Sequence, residues 1–170
     1  EFRGNVEVTL DDWLRGNLQF KGPTLQTVTG TASVQAIADK RLVGPLSLLQ
    51  GSHLRATVQD SQLQDFGGTA GLAVDGWGQG QATVDAGSTV QAVSGRGQLD
   101  INQPRPLGSL VTLTRGVLGA ELQQSQLQHV WGEAHGQVKG LGEGWLRLDK
   151  SSTTDTFGGQ AGVALRRPLA

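Results

Sequence analysis

Apolar and polar residues alternate along most of this chain with a spacing of two residues. After Gly68, for example, small or apolar side chains recur at Ala70, Leu72 and Val74. A period of two is typical of a β-strand with one covered face, whereas a helix needs a period near 3.6. No long segment shows the helical period, so the pattern predicts an all-β fold.

Five segments share a more specific pattern, in which a large apolar residue and one spacer precede a glycine. They are LQTVTGTASVQAI from Leu25, LQDFGGTAGLAV from Leu63, VQAVSGRGQLDI from Val90, LQHVWGEAHGQV from Leu127 and TDTFGGQAGVAL from Thr154, with anchor glycines Gly30, Gly68, Gly95, Gly132 and Gly159. A glycine at a fixed place in a strand removes a side chain from one face. This suits a bulge, a sharp bend or a close approach to the backbone.

These segments lie inside a longer repeat. Residues 40–87 placed on 104–151 without a gap give 18 identities in 48 positions, which indicates a repeat unit of about 64 residues. We predict entry strands of a partial repeat over 1–23, a first repeat over 24–87, a second over 88–151 and the start of a third over 152–170. Repeats of this kind favour an elongated β-sheet, which we expect to curve into an open apolar groove.

Composition narrows the possible functions. The 170 residues carry a net charge of −1 and no cysteine, which excludes disulfides and thiolate metal sites. Without a basic stripe we expect no nucleic-acid partner, and without an apolar run of about 18–20 residues we expect this fragment not to span a membrane. Glu1–Phe2 resembles a cloning scar and is left out of the fold prediction.

No catalytic arrangement emerges from the polar residues. His129 and His135 flank Glu133, but the first repeat keeps none of these side chains, so we interpret them as surface residues and predict no metal site. Asp11–Asp12 and the GWGQG segment at 76–80 are interpreted as turns. We therefore predict a protein that is not an enzyme and has no cofactor.

The four tryptophans are Trp13, Trp77, Trp131 and Trp145. Flat aromatic rings in a row can form a platform for sugars, but the second repeat has Leu141 where the first has Trp77. We therefore predict packing or rim positions for these side chains.

Strand units of the form Φ-x-G-x-A-x-Φ-x-Φ, where Φ is a large apolar residue, alternate with GPLS-like turns. The stretches that show this pattern are VTGTASVQAI, VGPLSLLQGSHLRATVQDSQLQDFGGTAGLAVDG and LGSLVTLTRGVLGAELQQSQLQHVWGEAHGQVKG. Together they resemble the TamB and AsmA-like proteins of the bacterial envelope. The resemblance implies a periplasmic β-sheet folded lengthwise around an apolar groove, a parent protein anchored in the inner membrane, and conduction of phospholipid between the two membranes. It also implies an outer-membrane barrel assembly protein as a partner.

We predict that phospholipid acyl chains contact the large apolar residues of this pattern. The predicted groove residues are Val28, Val34, Phe66, Leu72, Val74, Val93, Leu99, Ile101, Val130, Val138, Phe157, Val163 and Leu165. Their neighbours Gln64, Thr69, Gln98, Gln137 and Gln160 are expected to face water. The same apolar residues could instead fill the closed core of a sandwich, which the sequence leaves open.

Two other interpretations also stay open. The shorter intervals between anchor glycines, from Gly68 to Gly95 and from Gly132 to Gly159, are equal and could mark coils of a parallel β-helix in a secreted or surface adhesin. A carbohydrate-binding β-sandwich is the third possibility, and it would bring Trp13, Trp77 and Trp145 together on one exposed face.

Overall fold

The computed structural model describes residues 2–24, 27–152, 156 and 158–165, and this part of the chain contains fourteen strands and no helix. The strands are β1 (Phe2–Leu10), β2 (Leu14–Thr24), β3 (Thr27–Ala36), β4 (Lys40–Val43), β5 (Leu46–Leu48), β6 (His53–Gln59), β7 (Gln62–Val74), β8 (Gly78–Ser88), β9 (Gly95–Ile101), β10 (Arg105–Leu107), β11 (Val111–Gln123), β12 (Gln126–Val138), β13 (Gly142–Ser152) and β14 (Gly159–Leu165). The predicted all-β fold is confirmed.

All fourteen strands belong to one open sheet. Its main path contains eleven strands in the order β1-β2-β3-β6-β7-β8-β9-β11-β12-β13-β14. The short strands lie beside this path, with β10 on β11, β5 on β7, and β4 on β5. Every described strand pair is antiparallel. Strands adjacent in sequence are therefore mostly adjacent in space.

This topology decides between the predicted architectures. A parallel β-helix needs parallel ladders and a sandwich needs two packed sheets. In the described residues the ladders are antiparallel and form a single sheet, so both of these alternatives are wrong. The fold is the open repeat sheet that the alternation predicts.

The repeat is visible in the strand bounds. The strands β2, β8 and β13 begin at Leu14, Gly78 and Gly142, which lie at equal intervals of one repeat unit, and all three have the same length. The strands β7 and β12 also coincide after a shift of one repeat unit. Because the sheet continues through the predicted boundaries after residues 23, 87 and 151, the repeats are parts of one body, and the boundaries themselves stay a prediction.

Two hairpin tips hold equivalent places in the two repeats. They are the two-residue turns Asp60–Ser61 and Gln124–Ser125, in which all four residues have φ between 49° and 62°. Both are type I′ turns, which match the twist of antiparallel strands but rarely lack glycine. In each, the serine N–H donates to a carbonyl of an earlier segment, at 2.8 Å to Val28 and 2.6 Å to Val93. The Oγ of the same serine accepts a hydrogen bond from the N–H of that valine, Val28 for Ser61 and Val93 for Ser125.

The single layer leaves an unusually large surface. A compact monomer of 17.8 kDa exposes about 8,000 Å², whereas this chain exposes 11502 Å². The only buried apolar side chains among the described residues are Ala36, Ile101 and Leu113. The excess of about 3,500 Å² arises because, in the part of the chain that the structure describes, no second layer packs against the sheet.

Candidate functional site: the apolar face of the sheet

The register of the ladders assigns every paired residue to one of two faces. Residues opposite one another in antiparallel strands lie on the same face, and alternate residues of one strand share it. Val34, for example, pairs with Gly16 on one side and with Leu54 on the other. We call the face that contains Val34 the apolar face, and its opposite the polar face.

Among the paired residues that the structure describes, the apolar face of the main path carries no charged side chain. Apart from residues that pair beyond a bulge, such as Ser88, its paired residues are Gly, Ala, Val, Leu, Ile or Phe. All paired Asp, Glu, Lys, Arg and His residues of the main path lie on the polar face. The period-two pattern therefore places the charged side chains on one face and the apolar side chains on the other, across all eleven strands of the main path.

Most of the predicted groove residues lie on this face. By pairing they are Val34, Phe66, Leu72, Val74, Leu99, Ile101, Val130, Val138, Val163 and Leu165, and Val28 joins them two residues before Gly30 in β3. Their expected polar neighbours Thr69, Gln98, Gln137 and Gln160 pair on the polar face, while Gln64 is exposed at a bulge. Contact with lipid stays a prediction for all of them.

Two of the predicted groove residues, Phe157 and Val93, are not among the residues that the structure assigns to the apolar face. Phe157 lies outside the described residues. Val93 does not lie in a strand but in the segment between β8 and β9, so its placement on a strand face is wrong. The physical reason is a loop between the two strands, in which Thr89 and Ala92 exchange backbone hydrogen bonds at 3.1 and 3.2 Å and the Ser88 Oγ accepts a hydrogen bond from the Ser94 N–H at 3.1 Å. Val93 lies inside this loop and therefore outside the regular ladder.

The anchor glycines mark close contacts between backbones. A Cβ atom added at any of them would lie closer than 3.0 Å to a carbonyl oxygen of the preceding strand on the main path. The pairs are Gly30 with Gln19, Gly68 with His53, Gly95 with Thr83, Gly132 with Val117, and Gly159 with Arg147. All five glycines lie on the apolar face, and bulges follow at Gly68 and Gly132 in the next ladder. Glycine kinks and bulges together curve a sheet.

A further copy of the pattern, not predicted from the sequence, lies at the start of β1. Phe2 begins β1, stacks on Phe20 with ring centroids 5.7 Å apart, and precedes Gly4 by one spacer. Phe2, Phe66 and Val130 follow one another at equal intervals of one repeat unit. The repeat spacing, applied towards the amino terminus, could have found this copy, and setting Phe2 aside was wrong.

Most described side chains of the apolar face are at least partly accessible, although Ala36, Ile101 and Leu113 are buried. Leu118, Leu146 and Val163 are 43%, 57% and 51% exposed. Near the carboxyl-terminal edge the face forms an apolar recess of about 500 Å³, with Leu113 and Val138 among its lining residues. These residues do not fill the closed core of a sandwich, because no second sheet covers them in the described part of the chain.

The polar face also has recesses, but of a different chemistry. One of them, of about 660 Å³, is lined mainly by Gln, Thr, Arg and Asp side chains of β8 and β9. In β12, Glu133 and His135 contact each other directly, and the buried Nδ1 of His129 has no hydrogen-bond partner. Among the residues that the structure describes, no group of three or more His, Asp or Glu side chains is placed to hold a metal ion.

The tryptophans lie in separate parts of the sheet. Trp13 and Trp77 occupy equivalent turns, β1–β2 and β7–β8, and each lies against a cation, with Lys40 Nζ 5.7 Å and Arg105 Cζ 4.8 Å from the ring centroids. Trp145 belongs to β13 and covers Gly162 of β14. The sugar platform that would bring Trp13, Trp77 and Trp145 together is therefore absent from the described structure.

No described helix has the length and apolar composition that crossing a membrane requires. Comparison of the chain with protein-family models, with curated proteins and with solved structures found no match.

Proposed function

We propose that this chain is part of a bacterial envelope protein whose apolar sheet face conducts phospholipid acyl chains between the inner and outer membranes. The observation that carries the proposal is the uncharged apolar face, which continues across eleven strands with side chains accessible to a ligand. Monomeric proteins rarely expose apolar patches above a few hundred Å², and larger ones mark binding surfaces.

Acyl chains match the chemistry of this face. Its paired residues offer almost no side-chain hydrogen bond, so a polar ligand would lose its bonds to water without replacement. An acyl chain loses none and gains about 0.8 kcal/mol for each CH₂ group that it buries. The sheet is open, which leaves room for a charged headgroup to stay in water while the tails lie on the face.

A row of small residues on the apolar face also suits an acyl chain that moves along the sheet. Ala70, Ala82, Gly97 and Ala120 pair in succession across β7, β8, β9 and β11. With strands about 4.8 Å apart, this shallow track is about 14 Å long. Larger side chains border it, including Leu99. The small residues would let a flexible tail slide across strands instead of locking it into one deep pocket.

The cellular setting belongs to the same proposal. The resemblance to TamB and AsmA-like proteins supports a periplasmic location, an inner-membrane anchor in the parent protein and an outer-membrane barrel assembly protein as partner. The alternation that carries the resemblance is the same alternation that produces the apolar face.

Photo-crosslinking tests the proposal with a matched pair. Leu99 and Gln98 are neighbours in β9 on opposite faces, with Leu99 paired to Leu118 and Gln98 to Gly119. A photo-reactive residue at position 99, or at Phe66, should label phospholipid in cells that express the parent protein, and one at position 98 should not. Equal labelling at positions 98 and 99, or none at 66 and 99 in a folded protein, would remove the basis for a lipid-conducting face.

A further inference from the structure

A row of paired residues on the polar face has an apolar side chain at each end. In strand order from β7 to β12 its members are Gly71, Gln81, Gln98, Gly119 and Trp131. Leu49 extends the row beyond Gly71, because its N–H donates to the Gly71 carbonyl at 2.8 Å and its Cβ would lie 3.1 Å from a Cβ added at Gly71. At the other end the indole of Trp131 lies over Gly119, where an added Cβ would meet the ring closer than 3.0 Å. The two glycines thus leave room for two apolar walls.

Between these walls lies the polar recess of about 660 Å³, a size typical of small-ligand sites. The two glycines are three strands apart, about 14 Å, and the exposed amides of Gln81 and Gln98 occupy the row between them. Beside the row, one carboxylate and one guanidinium line the recess, those of Asp100 and Arg96. Gln98 Nε2 donates a hydrogen bond to Asp100 Oδ1 at 3.0 Å. The charges of the lining therefore balance, which favours an uncharged ligand with many hydrogen-bonding groups.

The groups of this recess match a sugar that carries an acetamido group. The flat indole of Trp131 offers an apolar surface on which the C–H face of a pyranose ring can stack. Each glutamine amide both donates and accepts hydrogen bonds, as an acetamide does, so Gln81 and Gln98 can pair with the acetamido group in both directions. Its methyl group is apolar and fits against Leu49. An acyl chain fits worse, because the amides would lose their bonds to water without replacement.

The equivalent row of the preceding repeat, in β2, β3, β6 and β7, has no tryptophan. Its members are Asn17, Ser33, Arg55 and Gly67. Two shorter polar side chains thus stand in place of the two glutamines, while Arg55 replaces Gly119 and Gly67 replaces Trp131. The indole and the glycine beneath it are present together in one repeat and absent together in the other. This correlation indicates that Gly119 serves to seat the indole of Trp131 in the recess.

We propose that the recess between Leu49 and Trp131 binds an uncharged oligosaccharide built of N-acetylglucosamine units. One pyranose ring stacks on Trp131, an acetamido group bonds to Gln81 and Gln98, and the methyl group of that acetamide contacts Leu49. The carboxylate and the guanidinium beside the row bond to ring hydroxyl groups. The recess lies on the face opposite to the proposed lipid surface, so sugar binding does not depend on whether the chain conducts lipid.

Titration calorimetry with the unmodified 170-residue chain tests this site. The probe is N-acetylated chitotriose, a trimer of N-acetylglucosamine, and the control is cellotriose, which has the same ring geometry and no acetamido group. The acetylated sugar should bind at least about tenfold more tightly, because a site built to hydrogen-bond one group of a ligand rejects the analogue that lacks it. Equal affinities of the two sugars, or no binding of the acetylated one at millimolar concentration, would overturn the proposal.

Substitutions at two tryptophans locate the site. Trp131→Ala should weaken binding of the acetylated sugar at least about tenfold, which corresponds to about 1.4 kcal/mol. Gly119→Ala should also weaken it, because the new methyl group displaces the indole. Trp145→Ala is the matched control, since the Trp145 indole also covers a glycine, Gly162, but lies outside the recess. Its affinity for the sugar should be unchanged.

A glutamine variant and a fold control complete the test. Gln81→Leu should bring the affinity for the acetylated sugar close to that for cellotriose, because the acetamido group loses a partner. Circular dichroism shows whether each variant keeps the sheet, and if Trp131→Ala does not fold, Trp131→Phe takes its place and should weaken binding by a smaller factor. Unchanged affinity in a folded Trp131 variant, or an equal loss in Trp145→Ala, contradicts a sugar site in this recess.

Discussion

Two glycines of β9 should respond in opposite ways to alanine. Gly95 and Gly97 lie two residues apart on the apolar face and pair with neighbours on both sides. A Cβ at Gly95 would fall closer than 3.0 Å to the carbonyl oxygen of Thr83 and 3.1 Å from the Cα of Val84. A Cβ at Gly97 would meet nothing nearer than 3.8 Å, an ordinary van der Waals distance.

The expected magnitudes follow from these distances. At Gly95 the atom in the way belongs to the backbone of β8, so the ladder itself must shift, and overpacking of this kind costs about 1–3 kcal/mol. At Gly97 the methyl group fits without a shift, and the loss of conformational freedom in the unfolded chain should stabilise the sheet by about 0.4–1 kcal/mol. The two variants should therefore differ by roughly 1.4–4 kcal/mol in the free energy of unfolding, the sum of the two effects.

Urea unfolding followed by tryptophan fluorescence measures this difference, since the chain has four tryptophans. With a urea dependence of about 2 kcal/mol per molar, the midpoints of the Gly95→Ala and Gly97→Ala variants should lie about 0.7–2 M apart. The unmodified chain should unfold between them. Coincident midpoints of the two variants would refute the idea that backbone contact explains the anchor glycines.

Three further substitutions test other features. Leu72→Arg should leave the β-sheet circular dichroism signal intact with a modest loss of stability, because the arginine stem can lie along an uncovered face and reach water; outright unfolding would indicate a sealed core. Ser125→Ala should cost about 1 kcal/mol, since the N–H of Val93 loses its acceptor, and unchanged stability in urea would show that water replaces the bond. Arg105→Ala should lower stability by about 0.5–1 kcal/mol through loss of the contact with Trp77, an effect that Arg105→Gln should share if the cation is responsible.

The faces of the sheet could be predicted from sequence because alternation is a local property. Leu99 and Ile101 follow Gly95 at even intervals, and this spacing alone places all three on one face. The repeat spacing likewise predicted which segments are equivalent. Each of these predictions needed only the order of residues along the chain.

Pairing partners could not be predicted in the same way. The turns Asp60–Ser61 and Gln124–Ser125 reverse the chain within two residues, but neither contains the glycine that usually marks a type I′ turn. Without these reversals, parallel coils and antiparallel hairpins fit the pattern equally well. The place of Val93 outside a strand could not be predicted either, because Val28 precedes its anchor glycine by the same two residues and lies within β3.

The large exposed surface has a consequence for the temperature dependence of stability. The heat-capacity change on unfolding grows with the apolar area that is newly exposed, by about 0.45 cal/mol/K per Å². This sheet already exposes much of that area when folded, so its stability curve should be flatter than that of a compact protein of equal length. A ligand that covers about 1,000 Å² of the apolar face should add about 0.45 kcal/mol/K to the heat-capacity change. Such a ligand would thereby turn a shallow curve into a steep one, and occupancy of the face could be read from calorimetry alone.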